Sequence, residues 1–257
     1  MHVYIYDSFV NEKKNNNIVA KIETRITDLG LSGKIIRLNV VNSIFDAIEN
    51  EIKKGAKTII VVGNNHIFNL AINSIINLKT VSFHGYKVPL GFIPVGKKGN
   101  EIADFLGINY NVDACDTLSA RRIKSVGLGQ INNNYFFAQA EIPTTNTVIE
   151  IDKNFSIEIS ESGKIYVVNL PVFVDLPKEI VIGEGLKLLI NTKGSSNKYL
   201  PLDLKKSKKS IFSFNKLQLI NPKDPIVLDN SVEIKTPVDV KFSSKKIDII
   251  VGKNRIF

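Results

Sequence analysis

The chain has 257 residues, 44% hydrophobic and 23% charged, which suits one large or two small globular domains with a full core and no need of disulfides or structural metal. Its one cysteine, Cys115, excludes an internal disulfide, and no apolar run approaches the roughly 18 residues of a membrane span. The net charge of +9 is uneven: residues 1–120 carry 13 Lys+Arg against 11 Asp+Glu, whereas residues 121–257 carry 21 against 14. That basic second half could meet an anionic membrane face, nucleic acid or acidic ligands, or form a solvated lysine-rich surface.

In chain order, the first 120 residues alternate strand and helix. Met1–Asp7 lacks the basic head and long apolar centre of a signal peptide, so a reducing cytosol is expected. Val3–Tyr6 reads as a buried strand, and Ile18, Ile22, Ile26 and Leu29 have helical spacing. Lys34–Val40 reads as the second strand. Ser43 can cap a helix carrying Ile44, Ala47, Ile48 and Ile52, which Gly55 ends. Thr58–Val62 is almost wholly apolar, as a parallel strand covered on both faces requires. Gly63-Asn64-Asn65-His66 then leads into a helical pattern from Ile67 to Ile76. A fourth strand, Gly91–Pro94, runs through Val95 and Gly96 into Lys97-Lys98-Gly99-Asn100 and a helix from Glu101 to Leu106, with another from Val112 to Ser119. Strand, glycine turn, helix thus occurs twice within 50 residues, a device that lets backbone N–H groups approach a phosphate at a helix N-terminus. Cys115 precedes Asp116, which disfavours a thiolate and makes it a core residue.

After Ala120 short runs alternate with turn clusters, which predicts an antiparallel sandwich or barrel over 121–257. The runs are Ile123–Ile131, Tyr135–Ile142, Val148–Ile151, Phe155–Ile159, Lys164–Leu170, Gly185–Asn191, Ile211–Ile220, Pro225–Leu228, Val232–Lys235, Val238–Phe242 and Ile247–Val251. Lys205–Lys209 lies in the only strong charge run and reads as a loop tip. His2, His66 and His84 are too scattered for a local zinc motif, and the second half has no aromatic RNA-binding motif, so nucleic acid is not expected as a partner. The expected fold is therefore α/β plus all-β: a parallel nucleotide-binding-like domain over 1–120, then a β-sandwich over 121–257.

Four patches resemble the diacylglycerol kinase catalytic-domain family. Val61–Asn69 is similar to its V-V-G-G-D-G-T-x-N signature, and Pro89–Ile108 to its P-L-G-I-I-P-x-G-T-G-N-D run, with Lys97-Lys98 in place of the threonine. Val126–Gly129 with Asn132–Phe136 resembles V-D-L-G-x-x-N-G-x-x-F. Gly183–Leu188, Leu228–Ser231 and Thr236-Pro237 resemble the family's D-D-G-x-L-D strand and L-D-G-E…T-P ending. The signature departs at four positions: Asn64 replaces the second glycine, Asn65 the aspartate, His66 the third glycine and Ile67 the threonine.

The resemblance implies a lipid kinase that moves a phosphoryl group from ATP, with Mg²⁺, to a lipid hydroxyl. It implies a nucleotide site at Gly63, Asn64, Asn65, His66, Gly96, Lys97, Lys98, Gly99 and Asn100, a general base at Asp229, and Glu184 as a metal-binding acid. The residues themselves leave alternatives open: Gly63 could be a sharp turn, Lys97 and Lys98 an exposed pair, and Asp229 a tight Asp-Asn-Ser turn between strands. An amide at position 65 supplies no negative charge, so the second expectation is a non-catalytic module that binds a nucleotide or lipid. A cytoplasmic location, with peripheral contact to the inner membrane face, and a homodimer accompany both expectations.

Overall fold

The computed structural model describes residues 1–39, 43–78, 88–159, 163–176, 185–192 and 208–257. They form two compact units, Met1–Val126 with Lys245–Phe257, and Gly127–Ser244.

In the first unit the apolar runs form a parallel sheet. Strands β1 (His2–Tyr6), β2 (Gly33–Arg37), β3 (Thr58–Gly63) and β4 (Leu90–Pro94) lie in the order β2-β1-β3-β4. β3 and β4 are buried along their whole length, as expected of central parallel strands. β2, at the sheet edge, is largely exposed and ends at Arg37, short of the expected Val40. Helix α1 (Asn16–Asp28) turns Val19, Ile22 and Ile26 inward. Helix α2 (Ile44–Lys53) starts as its sequence predicts, with the Ser43 hydroxyl accepting the N–H of Phe45. Helices α3 (Asn65–Asn77), α4 (Glu101–Phe105) and α5 (Ala114–Ala120) complete the layer. Cys115 on α5 is a fully buried free thiol.

The chain's last strand returns to this unit, with Ile249 beside Leu90 of β4. Beyond it, Gly252 and Ile256 donate to the carbonyls of Leu106 and Phe105, and the Phe257 ring stacks on Phe105 at 5.2 Å. Residues 245–257 therefore brace α4, a pairing that no local sequence pattern announces.

The second unit is antiparallel. Its strands are β5 (Ile123–Ile131), β6 (Asn134–Phe136), β7 (Gln139–Ile142), β8 (Val148–Ile151), β9 (Phe155–Glu158), β10 (Gly163–Val168), β11 (Lys187–Thr192), β12 (Lys208–Ser213), β13 (Lys216–Ile220), β14 (Ile226–Leu228), β15 (Val232–Ile234) and β16 (Val238–Ile250). β5 and β16 each carry the chain from one unit into the other. One layer runs β12-β11-β10-β7-β14-β15; the other includes β16-β13-β8-β9. Their inward residues, among them Ile149, Leu217 and Val240 from one layer and Val167, Leu188 and Leu228 from the other, share one core.

Three strand expectations are corrected. Ile211–Ile220 is two strands, β12 and β13, which break at Phe214-Asn215 and lie in different layers. Tyr135–Ile142 is likewise two strands, β6 and β7, in different layers. Conversely, Val238–Phe242 and Ile247–Ile250 join into the single strand β16, which runs unbroken through a buried Ser243 and the exposed Ser244, Lys245 and Lys246. Lys208 and Lys209 begin β12 rather than tip a loop, and residues 205–207 lie outside the described residues. Among the described residues no helix is long and apolar enough to cross a membrane.

Candidate functional site

The first turn joins β3 to α3. Asn64 is extended, and its side-chain oxygen accepts the N–H groups of His66 at 3.0 Å and Ile67 at 3.3 Å. These donors belong to the first turn of the helix, where the N–H groups lack intrahelical partners and would otherwise face an anion. The chain has capped the helix with its own amide. Gly63 is required for close approach: a Cβ there would lie 2.8 Å from Ile67 Cγ2 and 3.0 Å from Asp7 Cβ. The same point is 3.4 Å from an Asp7 carboxylate oxygen, so a negative charge lies beside the turn. His66 is exposed.

The second turn joins β4 to α4 and is glycine-dependent for a different reason. Gly96 and Gly99 hold φ of 77° and 76°, the left-handed region that side chains disfavour, with open space around each. Lys97 and Lys98 between them are exposed. Asn100 is fully buried and closes the loop, its amide donating to the carbonyls of Gly96 at 2.7 Å and Val95 at 3.3 Å. Its oxygen is buried with no partner among the described residues. The N–H of Gly96 is taken by the Asn111 side chain at 3.0 Å.

Asn65 ties the two turns together. Its backbone N–H donates to Gly99 at 3.0 Å, its amide donates to Glu101 Oε2 at 2.8 Å, and its oxygen accepts the N–H of Ile102 at 3.3 Å. The side chain is 7% exposed, and only an amide can both donate and accept here. An aspartate would set one carboxylate against another. The predicted nucleotide-binding residues of the two turns are therefore brought side by side, but much of their hydrogen-bonding capacity is spent within the protein.

Asp229 lies in the second unit, in the turn between β14 and β15, where Asp229 and Asn230 have φ of 46° and 55°. It is 1% exposed. Phe137 donates its N–H to one carboxylate oxygen at 2.7 Å; Ala138 and Gln139 donate theirs to the other, each at 2.8 Å. Burial pushes its pKa up to about 6, against the three N–H donors that favour the charged form. The residue expected to act as a base thus serves as a latch between the β14–β15 hairpin and the start of β7. Glu184, the expected metal-binding acid, lies outside the described residues. Among the described residues no group of three or more His, Cys, Asp or Glu side chains converges on one point.

Sequence reasoning missed Asn64 as a cap, Glu101 as the partner of Asn65, and Asp7. An asparagine directly before a helical pattern is a cap signal, and an acid ending the first apolar strand was equally visible.

A parallel α/β unit with paired glycine turns, followed by antiparallel β layers, is the architecture of a lipid-kinase-like protein. The chain belongs to the diacylglycerol kinase catalytic domain family, which it matches over residues 2–131. Among solved structures it resembles a diacylglycerol kinase from Bacillus anthracis str. Sterne, with TM-score 0.73, 13% identity, and coverage of 98% of this chain and 97% of that one. A candidate diacylglycerol kinase from the same organism gives TM-score 0.74, 13% identity, and coverage of 99% and 98%. At that identity the likeness is one of fold. No curated protein matches the chain significantly.

Proposed function

We propose that this chain is a non-catalytic member of its family, a binding module that holds the anionic part of a nucleotide or lipid without transferring phosphate. The observation that carries this reading is the Asn64 side chain accepting the N–H groups of His66 and Ile67. A triphosphate with Mg²⁺ does not fit the first turn as it stands. Its donors are engaged, Asp7 brings negative charge close, and Asn65 offers no charge to a cation while tied to Glu101. Asp229 has both carboxylate oxygens occupied by backbone donors, which disfavours proton transfer from an alcohol.

Lys97 and Lys98 remain suited to an anion, exposed on a loop whose glycines set its path. The buried, unpartnered oxygen of Asn100 adds an acceptor fit for a ligand hydroxyl.

The test compares binding and turnover in purified protein. ATP, ADP and vesicles containing phosphatidic acid are titrated with and without Mg²⁺, and phosphate transfer to diacylglycerol is followed in parallel. The expected result is ligand-dependent thermal stabilisation, lost in the Lys97→Ala, Lys98→Ala double variant, with no transfer. Transfer from ATP that depends on Asp229 supports the kinase reading instead.

A further inference from the structure

A small pocket lies in the first unit at the start of the parallel strands, at the end away from the glycine turns. It has a volume of about 120 Å³, and its walls are mainly apolar, from residues such as Ile60 and Leu118, with His2, Tyr4, Thr58 and Arg121 supplying polar groups. At roughly 30 Å³ of liquid volume per water, that is room for about four waters or one small oxyanion.

Two of its lining residues carry buried polar atoms with no partner among the described residues: His2 Nδ1 and Thr58 Oγ1. Thr58 is 1% exposed. The Tyr4 hydroxyl, by contrast, is satisfied by donating to the Leu31 carbonyl at 2.7 Å. Buried hydroxyl and imidazole groups are rarely left unpaired, and a pair of them in one cavity marks a place for a polar guest.

The backbone gives an independent reason to look here. Arg121 follows α5 as its C-terminal cap, with φ 49° and ψ 39°. Glycine is the residue of least strain in that left-handed conformation, and it is the usual occupant of such caps. The chain instead places an arginine there, exposed to solvent and lining the pocket. Its charge is felt at His2, whose imidazole is held below its ordinary pKa by burial and by nearby positive charge.

We propose that this pocket binds inorganic phosphate, with Arg121 supplying the charge and Thr58 and His2 donating hydrogen bonds to its oxygens. A guanidinium fork suits a tetrahedral oxyanion, and the two unpaired groups are both able to donate.

The experiment follows His2 imidazole resonances and thermal stability while inorganic phosphate replaces chloride at constant ionic strength. In the wild-type protein phosphate should shift the His2 resonances saturably and raise the melting temperature. Arg121→Gly should fold at least as stably as wild type, because glycine relieves the left-handed cap, yet bind phosphate roughly tenfold more weakly or worse. Thr58→Val should weaken binding in the same direction. Unmoved His2 resonances in the wild type, or undiminished phosphate binding in Arg121→Gly, would overturn the proposal. Repeating the titration in the Lys97→Ala, Lys98→Ala double variant, where the His2 shifts should persist, separates this pocket from the second glycine turn.

Discussion

Asn65 donates its side-chain amide to Glu101 at 2.8 Å, joining the helix that follows one glycine turn to the helix that follows the other. The bond reverses the polarity of the site. Where the family signature has an aspartate, this chain has a donor, and the second turn supplies the acid that receives it.

Asn65→Asp should therefore destabilise the fold. It removes the donor, sets two carboxylates together, and should cost about 1–3 kcal/mol. Adding Glu101→Gln supplies a donor facing the new carboxylate and should recover most of the loss. Urea denaturation of the two single variants and the double variant measures this coupling, which is expected to be at least about 0.5 kcal/mol for residues in direct contact.

The Asn64 cap makes a separate prediction. Asn64→Ala should cost about 1 kcal/mol of stability, whereas Asn64→Gly should cost only a few tenths, since glycine is itself tolerated at a helix N-cap. Asn64→Gly also releases the N–H groups of His66 and Ile67. Isothermal titration with ATP should then show tighter binding in the glycine variant than in wild type.

Asp229 should shape the dependence of stability on pH. Its pKa is about 6 in the folded protein and 3.8 in its ordinary state, so the folded chain binds this proton more tightly than the unfolded one. The associated stabilisation is fully present below about pH 4 and is lost as pH rises through 6, about 3 kcal/mol in all at 1.36 kcal/mol per unit. Thermal melts should show this component in the wild type and lack it in Asp229→Asn. The asparagine variant should also be about 1–3 kcal/mol less stable at pH 7, because its amide nitrogen faces a backbone N–H that needs an acceptor.

Cys115 should be inert in the native state. It is fully buried, and burial, with the charge of Asp116, pushes its pKa up to about 11. At pH 8 a thiol reagent should label it only as fast as the protein opens, and denaturant should make labelling immediate.

The α/β half was the more legible in sequence. Thr58–Val62 could only be a buried strand, and Ser43 announced its helix. The β half was harder because its turns use Asn and Asp in left-handed conformations, as at Asn132, Asp152, Asp229 and Asn230, rather than glycine. The break at Phe214-Asn215 carried neither glycine nor proline, so two strands read as one. The candidate site was legible as a pair of turns but not as a hydrogen-bond network. The partnership of Asn65 with Glu101 spans 36 positions, and that of Asp229 with Phe137 spans 92. Such pairings follow from topology, which local periodicity does not encode.

Under the proposed function, the first glycine turn is closed by its own asparagines and does not support phosphoryl transfer. Following transfer of the γ-phosphate of ATP to diacylglycerol in mixed vesicles, with Mg²⁺ and saturating protein, tests this most directly. The expected result is no product above the protein-free control, and turnover within the roughly 1–100 s⁻¹ typical of kinases would contradict it.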